Sequence, residues 1–179
     1  MELVSLLQNG AIGLIPTDTV YGLVCSAKDS VAVGKLYALK SRDHKPGTIV
    51  AANTEQLVDL GIKRRYLKAV EDFWPGMVSI EIPHSISYLN QGTGRQALRI
   101  TSNESLRSLL AKTGPLQTTS ANLPGKPPAN NIEEAQVYFK DSIDFYVDGG
   151  DLSNRAPSAI IRVIDDAVEV IRPGYGFSQ

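Results

Sequence analysis

The stretch Ala11-Ile12-Gly13-Leu14-Ile15-Pro16-Thr17-Asp18-Thr19 sets the reading of the chain. Ala11 to Ile15 is a short apolar strand, and Pro16 stops it because proline has no N–H to give to a ladder. The polar loop Pro16-Thr17-Asp18-Thr19 follows at once. α/β domains place their ligands on such loops at strand ends. Two further loops have the same character. Thr118-Thr119-Ser120-Ala121-Asn122 closes a strand at Leu116 to Thr119, and Asp148-Gly149-Gly150 follows a strand at Phe145 to Val147. Any one of them is an ordinary turn by composition. Three in one domain point to a site for an anion or an amino acid.

Outward from these loops, the apolar spacing gives alternating strands and helices. Leu3, Leu6 and Leu7 share a helical face ended by Gly10. Asp29 or Ser30 caps a helix through Val33, Leu36, Tyr37 and Lys40. Thr48 to Ala52 is a buried strand, and Asn53 with Gln56 forms a capping box for a short helix. Lys63 to Trp74 is an amphipathic helix turned by Pro75-Gly76, with Trp74 a core aromatic at that turn. Val78, Ile80 and Ile82 alternate with Ser79 and Glu81, the period of a half-exposed strand that leaves Ser79 outside. A polar loop precedes the strand Ala97 to Thr101. A helix through Leu106, Leu109 and Leu110 ends at Gly114. After the loop Ser120 to Asn130 come a helix at Ile132 to Phe139 and a final hairpin, Ser158 to Ile164 and Val168 to Ile171, across Asp165-Asp166. The expectation is one α/β domain over residues 1–179, with a twisted mixed sheet and flanking helices.

With 179 residues and a formal net charge of −1, the chain has room for one real core and lacks the basic surface of a general nucleic-acid binder. No apolar run approaches membrane-spanning length, so no membrane is expected. The start has no basic leader and Cys25 is alone, which makes a cytoplasmic location the default expectation. Cys25 in its apolar stretch reads as core. His44 and His84 are far apart without metal-like spacing, and a surface role is expected for each.

The common nucleotide signatures are missing. Gly125-Lys126-Pro127 lacks the first glycine and the hydroxyl of a P-loop, and Gly92-Thr93-Gly94 precedes a strand instead of following one. Phosphates would have to be held by side chains, with Lys40, Arg42, Arg95, Arg99 and Arg172 as candidates. Lys40 and Arg42 close a helix and complement its dipole in any case. Arg99 lies in the apolar strand Ala97-Leu98-Arg99-Ile100, where a charge needs a partner or a ligand.

Several segments together resemble the YrdC-like threonylcarbamoyl-AMP synthases, of the short single-domain type. They are Ile15-Pro16-Thr17-Asp18-Thr19-Val20-Tyr21-Gly22-Leu23, Lys40-Ser41-Arg42, Trp74-Pro75-Gly76, Leu98-Arg99, Thr119-Ser120-Ala121-Asn122, Pro157-Ser158-Ala159-Ile160-Ile161 and Arg172-Pro173-Gly174. Each is short, but their order over about residues 10 to 175 is specific. The chain departs from the pattern at Asp43, Thr48, Ser79, Pro124 and Ala159, and has Val50-Ala51-Ala52 where some longer members carry a histidine.

The resemblance implies a basic concave cavity on the sheet and a nucleotidyltransferase without a protein nucleophile. Lys40, Arg42, Ser120, Asn122 and Arg172 would bind ATP, with Arg95 a weaker candidate. Thr19, Arg99, Thr118 and Ser158 would line a threonine pocket, Arg99 taking the carboxylate. Catalysis would come from positioning and charge neutralisation by Lys40 and Arg42. Mg²⁺ would accompany ATP, held mainly by the nucleotide. The implied product, L-threonylcarbamoyl-AMP from L-threonine, bicarbonate and ATP, would pass to a separate tRNA threonylcarbamoyl-transferase machinery. The resemblance leaves room for weak binding of tRNA or double-stranded RNA. Two rival functions remain at this point: an RNA-binding module, and a domain that forms a carbamoyl adenylate.

Overall fold

The structure, a computed structural model, describes residues 2–41, 44–165 and 167–177. Its elements run α1 (Leu3–Gln8), β1 (Gly13–Pro16), β2 (Tyr21–Ser26), α2 (Ser30–Leu39), β3 (Thr48–Ala51), α3 (Thr54–Asp59), α4 (Arg64–Lys68), β4 (Val78–Pro83) and α5 (Ser87–Asn90). They continue with β5 (Arg95–Ile100), α6 (Glu104–Thr113), β6 (Leu116–Ser120), α7 (Ile132–Phe139), β7 (Phe145–Tyr146), β8 (Ala159–Ile164) and β9 (Ala167–Arg172). Among the described residues the strands form one sheet in the order β7-β1-β2-β6-β3-β5-β4-β8-β9. It is mixed: β3 runs parallel to β5 and β4 to β8, whereas β2 pairs with β6 and β4 with β5 in antiparallel fashion.

Helix starts follow their side-chain caps. Asp29 Oδ1 accepts from the amides of Val31 and Ala32, and Asn53 Oδ1 accepts from that of Gln56. Gln56 completes its half of the box one residue early, on the amide of Ala52. Asn103 and Asn131 cap α6 and α7 in the same way.

Strand alternation sends the two faces of the sheet to different partners. Leu14, Leu23, Ile49, Ile80, Leu98 and Ile161 face a large core shared with α2, α3, α5 and α7. Ile15, Val24, Val50 and Leu116 face a smaller core under α1 and α6, with Leu7, Leu106 and Leu110. Those two short helices cover only part of that face. Cross-strand partners share a face, so the row Val24, Thr118, Thr48, Ala97 and Glu81 continues past the helices onto uncovered sheet.

The structure corrects several expectations. β2 fills a stretch to which the sequence reading assigns no element. Its residues Tyr21 to Cys25 are all buried, so no two-residue alternation marks it. The helix expected over 63–74 is α4 followed by a separate turn of 3₁₀ helix at Glu71–Phe73. Val70 leaves helical geometry between them, at φ −130°. A short helix, α5, occupies the region read as a polar loop. Ser79 is fully buried, because its face of the sheet meets Ser158 and not solvent. His84 is buried too, not at the surface. Cys25 belongs to the core as expected, and burial pushes its thiol pKa well above the usual range.

His84 gives a pH signature. Burial lowers its imidazole pKa below the ordinary 6.5. On acidification the unfolded chain therefore takes up this proton before the folded one does. The stabilising difference is present above 6.5 and is lost as pH falls through the folded value. Thermal melts from about pH 7.5 to about 5.5 should show falling stability, and His84→Phe should flatten that slope. An unchanged slope in the variant would assign the effect to other groups.

Candidate functional site

The uncovered part of the sheet carries a cavity of about 110 Å³ that opens to solvent. Its lining comes from most of the chain: Thr17 and Thr19 after β1, Gly47 and Thr48 at β3, Arg99 on β5, Thr118 to Ser120 on β6, Ser158 before β8 and Arg172 ending β9. Gly47 allows the close packing at the floor. A Cβ there would lie 2.1 Å from the Thr118 carbonyl oxygen.

Arg99 is 3 % exposed, and its Nη2 lies 3.1 Å from Asp18 Oδ1. Thr101 Oγ1 donates to the other Asp18 oxygen at 2.8 Å. The charge in the apolar strand therefore has a partner, a residue to which the sequence reading gives no role. Burial pulls the Arg99 pKa down, and the Asp18 carboxylate opposes that pull. Arg99 Nη1 also donates to Thr19 Oγ1 at 3.4 Å, while Nε is buried without a hydrogen-bond partner. The guanidinium is held in place and still has donor capacity to use.

The hydroxyls are oriented as well. Thr17 donates to the Val20 carbonyl, so in its 3.0 Å contact with Thr19 it accepts, and Thr19 donates. Thr118 donates to the Thr48 carbonyl at 3.0 Å. Both Thr19 and Thr118 thus turn lone pairs toward the cavity. Arg155 Nη1 donates to the Thr17 carbonyl at 3.0 Å and ties down the loop that carries Thr17 and Thr19. At the opposite wall Ser158 Oγ is 3.0 Å from Ser79 Oγ, and Arg172 Nη2 donates to the Ser158 carbonyl at 2.7 Å.

Of the residues expected at the site, Thr19, Arg99, Thr118, Ser120, Ser158 and Arg172 line this one cavity. Lys40 lies behind the β6 end instead, 4 % exposed. Its Nζ donates to the Ser120 carbonyl at 2.9 Å, to Asn122 Oδ1 at 2.6 Å and to the Asn122 carbonyl. Asn122 Oδ1 also accepts from Ser120 Oγ at 2.7 Å, so Lys40 braces the loop on which Ser120 sits. Arg42 lies outside the described residues. Arg95 is not in a loop but opens β5, away from the cavity lining, with Nη1 3.8 Å from Glu81. Arg162 holds the same carboxylate. The Asp148-Gly149-Gly150 loop does not open on the cavity. It buttresses β2, where Tyr21 Oη donates to the Gly150 carbonyl at 2.8 Å and accepts from the Gly149 amide at 2.7 Å.

Among the described residues no cluster of three or more His, Cys, Asp or Glu could hold a metal ion. The guanidinium groups of Arg99 and Arg172 at the cavity suit anionic oxygens. No helix among the described residues is long and apolar enough to cross a membrane.

The family model for Sua5, YciO and YrdC, described as telomere recombination, matches residues 5–174. A threonylcarbamoyl-AMP synthase of Stutzerimonas stutzeri is 34 % identical over 178 residues, covering 96 % of this chain and 95 % of the relative. One from Idiomarina loihiensis is 36 % identical over 174 residues, covering 92 % of each. P. abyssi Sua5 complexed with L-threonine superposes with a TM-score of 0.83 at 28 % identity, covering 96 % of this chain and 52 % of that one. This chain thus spans about half of that longer protein. E. coli YciO shares the fold, with a TM-score of 0.80 at 23 % identity over 97 % of this chain and 88 % of that chain. The chain belongs to the Sua5/YciO/YrdC family.

Proposed function

We propose that the protein is an L-threonylcarbamoyl-AMP synthase, forming its product and pyrophosphate from L-threonine, bicarbonate and ATP. The observation that carries the reading is the convergence of Arg99, Thr19, Thr118 and Ser158 on one cavity that Ser120 and Arg172 also line. A buried guanidinium suits the threonine carboxylate. The lone pairs of Thr19 and Thr118 suit its ammonium and hydroxyl protons.

The threonine amine would condense with bicarbonate to give N-carboxythreonine and water. An oxygen of the new carboxylate would then attack the α-phosphorus of ATP, and the bond from that phosphorus to the bridging oxygen would break, releasing pyrophosphate. This chain's residues would hold the carboxylate at Arg99 and the nucleotide at Ser120, Asn122 and Arg172, with Lys40 bracing the Ser120–Asn122 loop. Such a transfer depends on in-line placement and preorganised charge, not on a protein nucleophile. Arg42, next to Lys40 in sequence, is proposed as a further phosphate contact. Mg²⁺ would enter with ATP and neutralise phosphate charge. The product is proposed to serve a separate enzyme that modifies tRNA.

The test is pyrophosphate release from ATP. Threonine with bicarbonate should support it, serine less well, and valine at no more than about a hundredth of the threonine rate, because a site that pairs a hydroxyl rejects the analogue lacking it. Equal rates with valine would remove the pocket assignment. Turnover with carbamoyl phosphate in place of threonine would favour a carbamoyl-adenylate activity. Salt-sensitive RNA binding without turnover would favour an RNA-binding module.

A further inference from the structure

Ser79 and Ser158 are 79 residues apart in sequence, and their hydroxyl oxygens are 3.0 Å apart in the fold. Ser79, on β4, is fully buried. Among the described residues its only side-chain hydrogen-bond partner is Ser158 Oγ. Ser158 lines the cavity and is 7 % exposed. Arg172 Nη2 lies 3.3 Å from Ser158 Oγ as a donor, in addition to its bond to the Ser158 carbonyl. The backbone here is clamped from the far side. A Cβ on Gly174 would come within 2.4 Å of the Pro157 carbonyl oxygen, and the Tyr175 amide donates to that oxygen at 3.2 Å.

A hydroxyl has one proton to give and two lone pairs to fill. If Ser158 gave its proton to Ser79, the Ser79 proton would be left with no acceptor in a fully buried place, which is costly. In the other arrangement nothing is orphaned. Ser79 donates to Ser158, Arg172 donates to Ser158, and the Ser158 proton is left to face the cavity.

We propose that Ser79 is a positioning residue: by donating to Ser158 Oγ it turns the Ser158 hydroxyl into a hydrogen-bond donor aimed at an oxygen of the bound threonine or its carboxylated form. The wall at Ser158 then gives a proton where Thr19 and Thr118 offer lone pairs, so the two sides of the cavity are opposite in hydrogen-bonding sense. This rests on the proposed synthase reading. It also explains why a polar residue occupies a strand position sealed from solvent.

The experiment is a double-mutant cycle on threonine KM, read by pyrophosphate release. Ser79→Ala should raise threonine KM about tenfold and change ATP KM by less than about twofold. In a Ser158→Ala background the same change should alter threonine KM by less than about twofold, because the group through which Ser79 acts is gone. Ser79→Thr, which keeps the donor, should return KM to within about threefold of wild type. Should Ser79→Ala fail to fold, Ser79→Cys replaces it, since a thiol is a weak donor of similar shape and must also raise KM. An unchanged threonine KM, or an equal shift with and without the Ser158 hydroxyl, overturns the proposal and leaves the synthase reading standing. Absence of threonine-dependent release by the wild-type protein overturns both.

Discussion

Arg99→Ala is expected to abolish threonine-dependent pyrophosphate release and to lower the melting temperature by about 6–20 °C. Both effects arise from one guanidinium. Removing it leaves Asp18, 6 % exposed, as a buried carboxylate without its cation. Breaking a buried pair from one side costs about 3–5 kcal/mol, and a domain of this size loses about 2–4 °C for each. Threonine affinity should fall by at least about 100-fold, because a charge-assisted contact to the carboxylate disappears. A second variant separates the two effects. Asp18→Asn with Arg99→Met removes both charges and keeps an acceptor for Thr101, so it should recover most of the lost stability while threonine binding stays lost. Calorimetric melts and threonine titrations read the two quantities. A folded double variant with wild-type threonine affinity would make Arg99 a structural residue only.

Lys40→Met is expected to lower kcat/KM for ATP by at least about 100-fold and stability by about 2–4 kcal/mol. The ammonium serves two backbone carbonyls and the Asn122 side chain, in a place with almost no access to water. Methionine fills the volume but removes the charged donor: the Asn122 carbonyl loses it outright, at about 1–3 kcal/mol before the loop relaxes, while the Ser120 carbonyl keeps the Asn122 amide and Asn122 Oδ1 keeps the Ser120 hydroxyl. The relaxation moves Ser120 and Asn122, so nucleotide binding should suffer more than threonine binding. Steady-state kinetics with each substrate varied in turn measure the split. An unchanged KM for ATP in a folded variant would show that the brace is dispensable to the nucleotide.

Much of the fold is legible because local chemistry decides it. Asp29, Asn53 and the run Ile132 to Phe139 announce their helices through caps and apolar spacing, and α7 begins and ends where the spacing puts it. β2 is not legible, since a strand buried on both faces has no alternation to betray it. Ser79 looks like a surface residue because its one side-chain partner, Ser158, is 79 positions away, and His84 does because nothing local announces that its imidazole is buried. The site divides in the same way. A charge in an apolar strand singles out Arg99, but Asp18, 81 positions earlier, becomes its partner only when the β1–β2 loop folds over β5. Thr19, Thr118, Ser120 and Ser158 are expected at the cavity from an ordered set of short motifs resembling a family, not from spacing. Lys40 is a phosphate candidate as a cation at a helix end and through the same resemblance, and the carbonyls that hold it lie about 80 positions along the chain.

The dispersed origin of the cavity wall has a consequence for the protein's birth. Its lining begins at Thr17 and is complete only with Arg172. A polypeptide still emerging from the ribosome can already stack β1, β2, β6, β3, β5 and β4, yet the wall bearing Ser158 is absent until β8 settles against β4. Until then Ser79 and Glu81 stand on a raw sheet edge. Competence to hold a ligand should therefore arrive abruptly, only once β8 and β9 have been made, so that chains released before them fold in part but stay inert.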